Sequence, residues 1–259
     1  MAAKPLGGLR VLVPRGGKWG DGIAATLRTL GATPVIAPMI NFASADDSAA
    51  LANALYELED GQFDWLVITS ATTVDVFVGN RVSIPPTTRI AVIGETTGAA
   101  LQLAGYRADF TPSDNSARGL VAQWEAAGIS GRVLVPQSDV AEPTLVSGLA
   151  SLGVGAKFVA AYRTVGVPVS DAVRQDVASG RIRAILVSSG SVARQIALQL
   201  APLPESTVVA TIGPRTAFDA RAAGLRVDVI ADERSADSLV ASLLEHWTRV
   251  VPTRDEPRV

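Results

Sequence analysis

The stretch Arg10-Val11-Leu12-Val13-Pro14 recurs letter for letter as Arg132-Val133-Leu134-Val135-Pro136, 122 residues further along the chain. A second block recurs at an offset of 119 residues, and it begins where Ile93-Gly94 returns as Ile212-Gly213. The same offset relates Ala104-Gly105 to Ala223-Gly224, Asp109 to Asp228, Ser116-Ala117 to Ser235-Ala236, and Leu120-Val121-Ala122 to Leu239-Val240-Ala241. Such a period far exceeds the roughly 20 to 50 residues of solenoids and propellers. The sequence therefore predicts two related halves.

Length and composition agree with this prediction and exclude several classes of protein. The 259 residues suffice for two domains of about 120 residues each. Hydrophobic residues make up 48% and charged residues 19%, as in folded globular proteins. The formal charge of −2 and the lack of a Lys/Arg run give no electrostatic footprint for sequence-independent binding of nucleic acid, although local positive pockets remain open. The absence of cysteine excludes disulfides, thiol catalysis and thiolate metal sites. No apolar stretch of signal-peptide or membrane-span length occurs, so we expect a cytoplasmic protein without a membrane partner.

Short apolar runs alternate with helical patterns along the whole chain. The runs are rich in Val, Ile and Leu without polar alternation, which is typical of parallel strands buried on both faces. Glycines that follow the helical patterns, such as Gly31, Gly105 and Gly224, predict helix ends. The predicted strands are Leu9–Val13, Pro34–Ile40, Trp65–Ile68, Arg89–Ile93, Ala108–Phe110, Val133–Val135, Ala156–Ala161, Ala184–Val187, Val208–Ile212 and Val227–Ile230. This alternation predicts an α/β fold with doubly wound parallel sheets, whose ligands bind beyond the carboxyl ends of the strands.

The order of the repeated blocks leaves the domain membership open. A division near Gly128 would give two tandem domains. Alternatively, the opening block packs with the closing one, and the middle two blocks form an inserted domain. The segments Met39–Ala43 and Ala161–Val167 would then be the crossings, and both follow a strand that looks overlong, which favours this second arrangement.

The glycine-rich stretch from Arg15 to Gly22 follows the first strand, where a dinucleotide fingerprint would lie. Its spacing is G-x-x-G-x-G rather than G-x-G-x-x-G, and Lys18 lacks the following Ser or Thr of a P-loop. We interpret the stretch as a flexible strand-to-helix loop rather than a nucleotide site. Arg15 itself is a candidate ligand residue, because a guanidinium at the carboxyl end of a parallel strand can clamp a carboxylate.

Hydroxyl side chains occupy matching strand-to-helix turns in the two halves. Ser70 closes one predicted strand, Ser188 and Ser189 close the corresponding one, and Thr97 and Thr216 follow the Ile-Gly turns. Each is the residue type that caps helices, so a structural role is the simplest interpretation of any one of them. Four symmetric turns indicate more, because helix N-termini with free N–H groups would together bind a polyanion.

The sequence shows no cluster for hydrolytic or metal chemistry. The single histidine, His246, lies in the predicted terminal helix, and the carboxylates are scattered rather than paired. We therefore expect neither a metal nor a catalytic triad, and a chemistry that needs few side chains.

Several motifs together resemble the uroporphyrinogen-III synthase family over about residues 8 to 247. The motifs are Arg10-Val11-Leu12-Val13-Pro14-Arg15, Ile68-Thr69-Ser70 with Val74, Ile93-Gly94-Glu95-Thr96-Thr97, Ala161-Tyr162-Arg163-Thr164 and Ile212-Gly213-Pro214-Arg215-Thr216. The resemblance implies two flavodoxin-like α/β domains of related sequence, joined by a two-stranded linker with interleaved connectivity. The implied division is residues 1–38 with 168–259, residues 44–160, and linkers at residues 39–43 and 161–167, with the ligand in a cleft between the domains.

The resemblance also implies a cofactor-free enzyme that closes the linear tetrapyrrole hydroxymethylbilane to uroporphyrinogen III, with loss of water and inversion of the last pyrrole ring. Tyr162 matches the family's linker tyrosine. It is the candidate catalytic residue, as a donor to the departing hydroxyl, although packing between domains is an alternative role. The candidate substrate-binding residues are Arg15, Ser70, Thr97, Ser188, Ser189 and Thr216. Counting back from Val192 selects Ser188 as the match of Ser70, whereas the 119-residue offset selects Ser189.

Two other functions remain open at this point. One is a non-catalytic relative that senses a tetrapyrrole or another anion, and the other is a solute-binding or sugar-nucleotide protein. For the synthase, we expect a monomer whose partner is its small-molecule substrate, with transient contact with the upstream enzyme that produces hydroxymethylbilane. No nucleic-acid or membrane partner is expected.

Overall fold

The computed structural model describes residues 4–250, in which strands and helices alternate apart from the consecutive pairs β2–β3 and α4–α5. The strands are β1 (Arg10–Val13), β2 (Thr33–Ile36), β3 (Ile40–Ser44), β4 (Trp65–Ile68), β5 (Arg89–Val92), β6 (Val133–Ser138), β7 (Ala156–Gly166), β8 (Ala184–Val187), β9 (Val208–Thr211) and β10 (Val229–Ile230). The helices are α1 (Gly17–Thr29), α2 (Ser48–Glu59), α3 (Ala71–Gly79), α4 (Glu95–Leu103), α5 (Ala117–Gln123), α6 (Thr144–Ser151), α7 (Asp171–Ala178), α8 (Gly190–Leu200), α9 (Pro214–Ala222) and α10 (Ala236–Val250).

The chain forms two compact units. Unit 1 contains the described residues up to Asn41 and from Gly166 onward, and unit 2 contains Phe42–Val165. The linkers predicted at residues 39–43 and 161–167 include the two points of division, which fall inside β3 and β7.

Each unit has a five-stranded sheet of the same topology. The strand order of unit 1 is β2-β1-β8-β9-β10, with parallel pairing throughout, which is the flavodoxin-like order 2-1-3-4-5. In unit 2 the order is β3-β7-β6-β4-β5, and Phe110 adds an isolated parallel bridge beyond β5. Apart from the additional edge strand β3, this is the same order, so the predicted doubly wound fold class is confirmed.

The duplication is preserved in the register of the strand pairs. Corresponding pairs in the two units join residues that differ by the sequence offsets of 122 and 119. The matched pairs are Val11–Pro34 with Val133–Ala156, Trp65–Arg89 with Ala184–Val208, Val11–Ala184 with Trp65–Val133, and Ala91–Phe110 with Ala210–Val229. The sheet of unit 1 takes β1 and β2 from the first half of the chain and β8, β9 and β10 from the second half. The sheet of unit 2 takes β4 and β5 from the first half and β6 and β7 from the second. The connectivity is therefore interleaved.

Alternating residues of the central strands supply the core on both faces of each sheet. In unit 1, Val11 and Val13 pack with α1 and α10, whereas Leu12 packs with α7, α8 and α9. In unit 2, Leu66 and Ile68 lie in the cluster with α2, α3 and α4, and the opposite face packs on α5 and α6. Strands covered on both faces explain the continuous apolar runs in the sequence.

Polar contacts at the sheets are duplicated as well. Asp109 accepts a hydrogen bond from the N–H of Ile90 at 2.8 Å, and Asp228 accepts one from Val209 at the same distance. Each aspartate satisfies a backbone donor near the start of a strand, β5 or β9, so the repeated Asp of the sequence has a structural role.

Helices end where the predicted glycines stand. Gly31, Gly105 and Gly224 have φ of 93°, 88° and 86°, in the left-handed region that favours glycine after a helix.

Three local predictions were wrong. The glycine-rich stretch is not a loop, because α1 begins at Gly17 and includes most of it. The predicted strand Pro34–Ile40 is divided into β2 and β3, since the chain turns at Ala37-Pro38-Met39 and the proline cannot donate to a ladder. Ala108–Phe110 is reduced to the single bridge at Phe110.

Among residues 4–250, no helix combines the length and the apolar character that crossing a bilayer requires.

Candidate functional site

The carboxyl ends of the parallel strands in unit 2 carry three of the polar residues that the sequence singles out, together with Ser138. Tyr162 lies in the last part of β7, Ser138 ends β6, Ser70 follows β4, and Thr97 lies in the first turn of α4 after β5. These strands are neighbours in the order β7-β6-β4-β5, so the residues form a row along one edge of the sheet. This edge is where doubly wound sheets bind ligands.

The hydroxyls of Ser70 and Tyr162 are joined directly, at an Oγ–Oη distance of 2.9 Å. Ser70 is also the N-cap of α3, with extended backbone and an Oγ that accepts from the N–H of Thr73 at 3.4 Å. Because Ser70 Oγ accepts from that N–H, its own proton is available for the oxygen of Tyr162. Tyr162 is only 7% exposed and packs in the core cluster under α2, α3 and α4. The structure thus brings the candidate catalytic residue and one candidate binding residue into contact.

A strand irregularity and an aromatic contact orient Tyr162. The register between β6 and β7 shifts at this place, since Gln137 pairs with Ala160 but Ser138 pairs with Tyr162. Such bulges redirect a side chain and are common beside functional sites. The ring of Phe42 meets the Tyr162 ring edge to face, with centroids 5.3 Å apart. Sequence reasoning did not single out Phe42, and no local pattern marks it, because the contact joins residues far apart in the chain.

Unit 1 presents a second row at the carboxyl ends of β1, β8 and β9. It contains Arg15, the pair Ser188-Ser189, and Thr216 in the first turn of α9. Arg15 lies near the β1–β8 boundary, where the strand order reverses, and its guanidinium stacks on the Trp19 ring at 5.5 Å.

The helix-cap geometry shows which of Ser188 and Ser189 is the structural counterpart of Ser70. Ser189 is the N-cap of α8, and its Oγ accepts from the N–H of Val192 at 3.3 Å, as Ser70 does in α3. The 119-residue offset therefore identifies the structural counterpart. Ser188 differs, because its Oγ is shielded from solvent and has no hydrogen-bond partner in the described part of the chain.

Thr97 and Thr216 occupy equivalent places in the first turns of α4 and α9. Both helices begin after a glycine, Gly94 or Gly213, that provides no side-chain cap. The first N–H groups of these helices therefore have no internal acceptor and carry the positive end of the helix dipole. Both threonines are about 5% exposed, at 5% and 6%. Each N-terminus thus offers backbone N–H groups beside a hydroxyl, which suits a carboxylate oxygen.

In the described residues, no group of three or more His, Asp or Glu side chains could hold a metal ion. His246 lies half-buried in α10, near the carboxyl end of that helix. The sequence-predicted residues of the row in unit 2 therefore offer hydroxyls and a helix N-terminus, and those of the row in unit 1 add the guanidinium of Arg15.

The comparison with protein families decides between the possible assignments of this α/β chain. A family model described as uroporphyrinogen-III synthase HemD matches residues 21–241. The chain belongs to the uroporphyrinogen-III synthase family. It is similar to the porphyrin biosynthesis protein HemD of Ruminiclostridium josui, with 28% identity over 251 residues that cover 93% of this chain and 49% of that protein. It is also similar to the uroporphyrinogen-III synthase of Synechococcus elongatus, with 26% identity over 96% of this chain and 99% of that protein. The chain thus spans about half the length of the first relative and nearly all of the second.

Solved structures of uroporphyrinogen III synthases share the fold. A mutant of the Thermus thermophilus enzyme superposes with a TM-score of 0.64 at 16% identity, over 93% of this chain and 99% of that one. The Helicobacter pylori enzyme gives a TM-score of 0.62 at 14% identity, over 92% and 98%. The fold expected from the family resemblance is therefore confirmed.

Proposed function

We propose that this protein is a uroporphyrinogen-III synthase, which closes hydroxymethylbilane to uroporphyrinogen III with loss of water and inversion of the last pyrrole ring. The observation that carries the proposal within the structure is the hydrogen-bonded pair of Ser70 and Tyr162 at the carboxyl edge of unit 2. Family membership supports the same reaction.

The substrate class suits the two rows of polar groups. Hydroxymethylbilane carries acetate and propionate side chains, so its binding site has to receive several carboxylates. The N-termini of α4 and α9 offer uncapped N–H groups with Thr97 and Thr216 beside them, and Arg15 adds one guanidinium. Helix N-termini bind anions without a net positive charge, which agrees with the formal charge of −2.

Tyr162 is proposed to assist the departure of the hydroxyl. A pyrrole nitrogen drives out the hydroxyl of the neighbouring hydroxymethyl carbon, the C–O bond breaks, and the oxygen leaves as water after receiving a proton. The Tyr162 hydroxyl donates to this oxygen, while Ser70 donates to Tyr162 and holds its orientation. The substituted α-carbon of the electron-rich last ring then attacks this electrophilic carbon, which forms the spiro intermediate. The bond between that ring and its original bridge carbon breaks, the freed bridge carbon is attacked by the ring's other α-carbon, and loss of the proton from that α-carbon gives the inverted macrocycle.

Most of the rate and all of the isomer selectivity are proposed to come from positioning. The substrate closes unaided to the wrong isomer, so the protein has to favour the conformation that leads to inversion. Backbone N–H groups at rigid helix ends suit this task, because their directions are set by the fold rather than by flexible side chains. The few reactive side chains of the two rows agree with such a mechanism.

The test is the product isomer. Purified protein that receives hydroxymethylbilane generated in place is expected to yield uroporphyrinogen III, and the type I isomer alone would overturn the proposal. Tyr162→Phe is expected to reduce kcat by about a hundred-fold, the lower end of the range for general acid catalysis. Tyr106→Phe, at a tyrosine whose hydroxyl bonds to the backbone of Ile84 and Val82 after α3, serves as the matched control and should retain activity. Tight binding of the substrate without turnover by the wild-type chain would instead favour a tetrapyrrole-sensing relative.

The proposed setting is the cytoplasm, with the protein acting as a monomer and without a cofactor, membrane or nucleic-acid partner. Transient contact with the enzyme that produces hydroxymethylbilane would shorten the life of the labile substrate in solution. Sedimentation of the full chain, alone and with that enzyme, tests the monomer and the contact separately.

A further inference from the structure

Unit 2 contains a cavity of about 200 Å³ between the carboxyl-terminal parts of α3 and α4. Phe77, Val78, Val82 and Ile84 supply apolar walls, and Arg81 and Tyr106 supply the polar atoms. Ser70 and Thr97 lie at the opposite, amino-terminal ends of the same two helices. The inner wall of the cavity reaches Ile68 and Val74, but Ser70, Thr97 and Tyr162 are not among its lining residues, so the cavity is distinct from the proposed synthase site.

Arg81 has an unusual backbone for an arginine. Its φ of 56° makes it the one non-glycine residue with positive φ among residues 4–250. Arg81 is the second residue after the end of α3 at Gly79. The helix end is closed by two backbone bonds, from Arg81 N–H to Val78 O and from Val82 N–H to Phe77 O. Glycine fills the corresponding place after six other helices, at Gly31, Gly61, Gly105, Gly153, Gly180 and Gly224. Arginine is disfavoured there by backbone geometry, so its side chain is the candidate reason for its presence.

The guanidinium of Arg81 is available to a ligand. Within the part of the chain that the structure describes, it makes no ion pair, hydrogen bond or ring contact. Arg81 is one of the residues that line the cavity, and it is exposed. A free guanidinium beside an apolar cavity favours a ligand with a carboxylate head and an apolar body.

The duplicated unit has a leucine at the place that corresponds to Arg81. The 119-residue offset places Leu200 opposite Arg81, and α8 continues through Leu200, whereas α3 ends at Gly79. Leu200 is 8% exposed and packs with Leu225, the counterpart of Tyr106. Unit 1 therefore has two leucines, Leu200 and Leu225, at the places where unit 2 has Arg81 and Tyr106.

The walls of the cavity are held in place by Tyr106. Its hydroxyl accepts from the N–H of Ile84 at 3.2 Å and donates to Val82 O at 3.3 Å. Both bonds fasten the segment after Arg81 to the end of α4. A preformed cavity binds without a large ordering cost.

We propose that this cavity binds a small monocarboxylic acid with an apolar ring or short chain, whose carboxylate meets the guanidinium of Arg81. A cavity of about 150 Å³ accommodates benzene, so the volume suits a body of this size. The carboxylate lies on the solvent side of Arg81, because the carboxyl ends of α3 and α4 would repel an anion placed deeper. The site is independent of the proposed synthase reaction.

The experiment is calorimetric titration of the full chain with benzoate and hexanoate, and with benzamide and hexanamide as neutral probes of similar shape. The acids are expected to bind at least about ten-fold more tightly than the amides, as one charge-assisted contact provides. Arg81→Gln should remove this preference, and Ala104→Leu, which fills the cavity, should abolish binding of all four probes. Arg107→Gln changes a nearby exposed arginine outside the lining and should bind like the wild type.

Two further measurements keep the outcome unambiguous. Thermal unfolding of each variant without ligand verifies folding, and Ala104→Leu adds apolar volume rather than removing it. Thr97→Val should leave benzoate binding unchanged, because the synthase site is a second place that could receive a carboxylate. Equal binding of acid and amide, full binding by Arg81→Gln, loss of binding in Thr97→Val, or no binding at the solubility limit would each overturn the proposal.

Discussion

Replacing Ser70 with alanine tests whether its bond to Tyr162 is a distinct stabilising contact. The cap bond from Thr73 N–H to Ser70 Oγ is long at 3.4 Å, so its loss should cost about 0.5–1 kcal/mol. The Ser70–Tyr162 bond is short at 2.9 Å and partly buried, and its loss adds about 1 kcal/mol. Ser70→Ala should therefore reduce the free energy of unfolding by about 1.5–2 kcal/mol. Ser189→Ala removes only the equivalent cap at 3.3 Å, so it should cost about 0.5–1 kcal/mol.

The assay is urea unfolding of the full chain. The free energy of unfolding of each variant is compared with that of the wild type for the unit that contains the substitution, which is unit 2 for Ser70 and unit 1 for Ser189. Ser70→Ala, Tyr162→Phe and the double variant form a cycle whose coupling energy should be about 1 kcal/mol. The same variants are assayed for turnover, where Ser70→Ala should lower kcat because it releases the orientation of Tyr162. A coupling energy within about 0.3 kcal/mol of zero would show that the two hydroxyls do not cooperate, and the argument for Ser70 as a positioning residue would fail.

Three other changes have expected outcomes of their own. Gly131→Ala should lower the free energy of unfolding by at least about 2 kcal/mol, because the new Cβ would meet Asp64 Oδ2 at 2.2 Å. Gly128→Ala is the control: its φ is also positive but the space around it is open, so it should cost only about 1 kcal/mol. Urea unfolding measures both. Arg81→Gly should raise the free energy of unfolding by about 1 kcal/mol by relieving the positive φ, and a loss would mean that the side chain stabilises the chain by packing. Thr97→Val should lower kcat/KM by about ten-fold through one lost carboxylate contact, and an unchanged value would leave Thr97 as a packing residue.

Strand identity and the repeat could be predicted from local sequence, because each depends on short apolar runs and on matching letters. The central strands β1, β4, β8 and β9 were located to within a residue or so. Predictions failed where a local signal was ambiguous. Glycines at Gly16 and Gly17 are typical of a loop, yet α1 begins there, since helix formation depends on the buried face of Ile23, Ala24 and Leu27.

The candidate site was predicted as a set of residues and not as an arrangement. Tyr162 and Ser70 were each singled out from their own motifs, but nothing in either motif predicts that their hydroxyls lie 2.9 Å apart. The contact depends on the β7 bulge and on the pairing of β7, β6 and β4, which are long-range properties. The choice between Ser188 and Ser189 also required the cap geometry of α8.

By itself, the sequence determined that the chain is a duplicated α/β protein, because identical strands at constant offsets repeat the same burial pattern. Tertiary structure decided which halves share a sheet, since Val11 pairs with Ala184 and Trp65 with Val133 across the duplication. It also decided where the copies differ, with Arg81 beside a cavity and Leu200 inside a core. The physical reason is that strand pairing and side-chain packing join residues more than a hundred positions apart, whereas a sequence motif reports only its own neighbourhood.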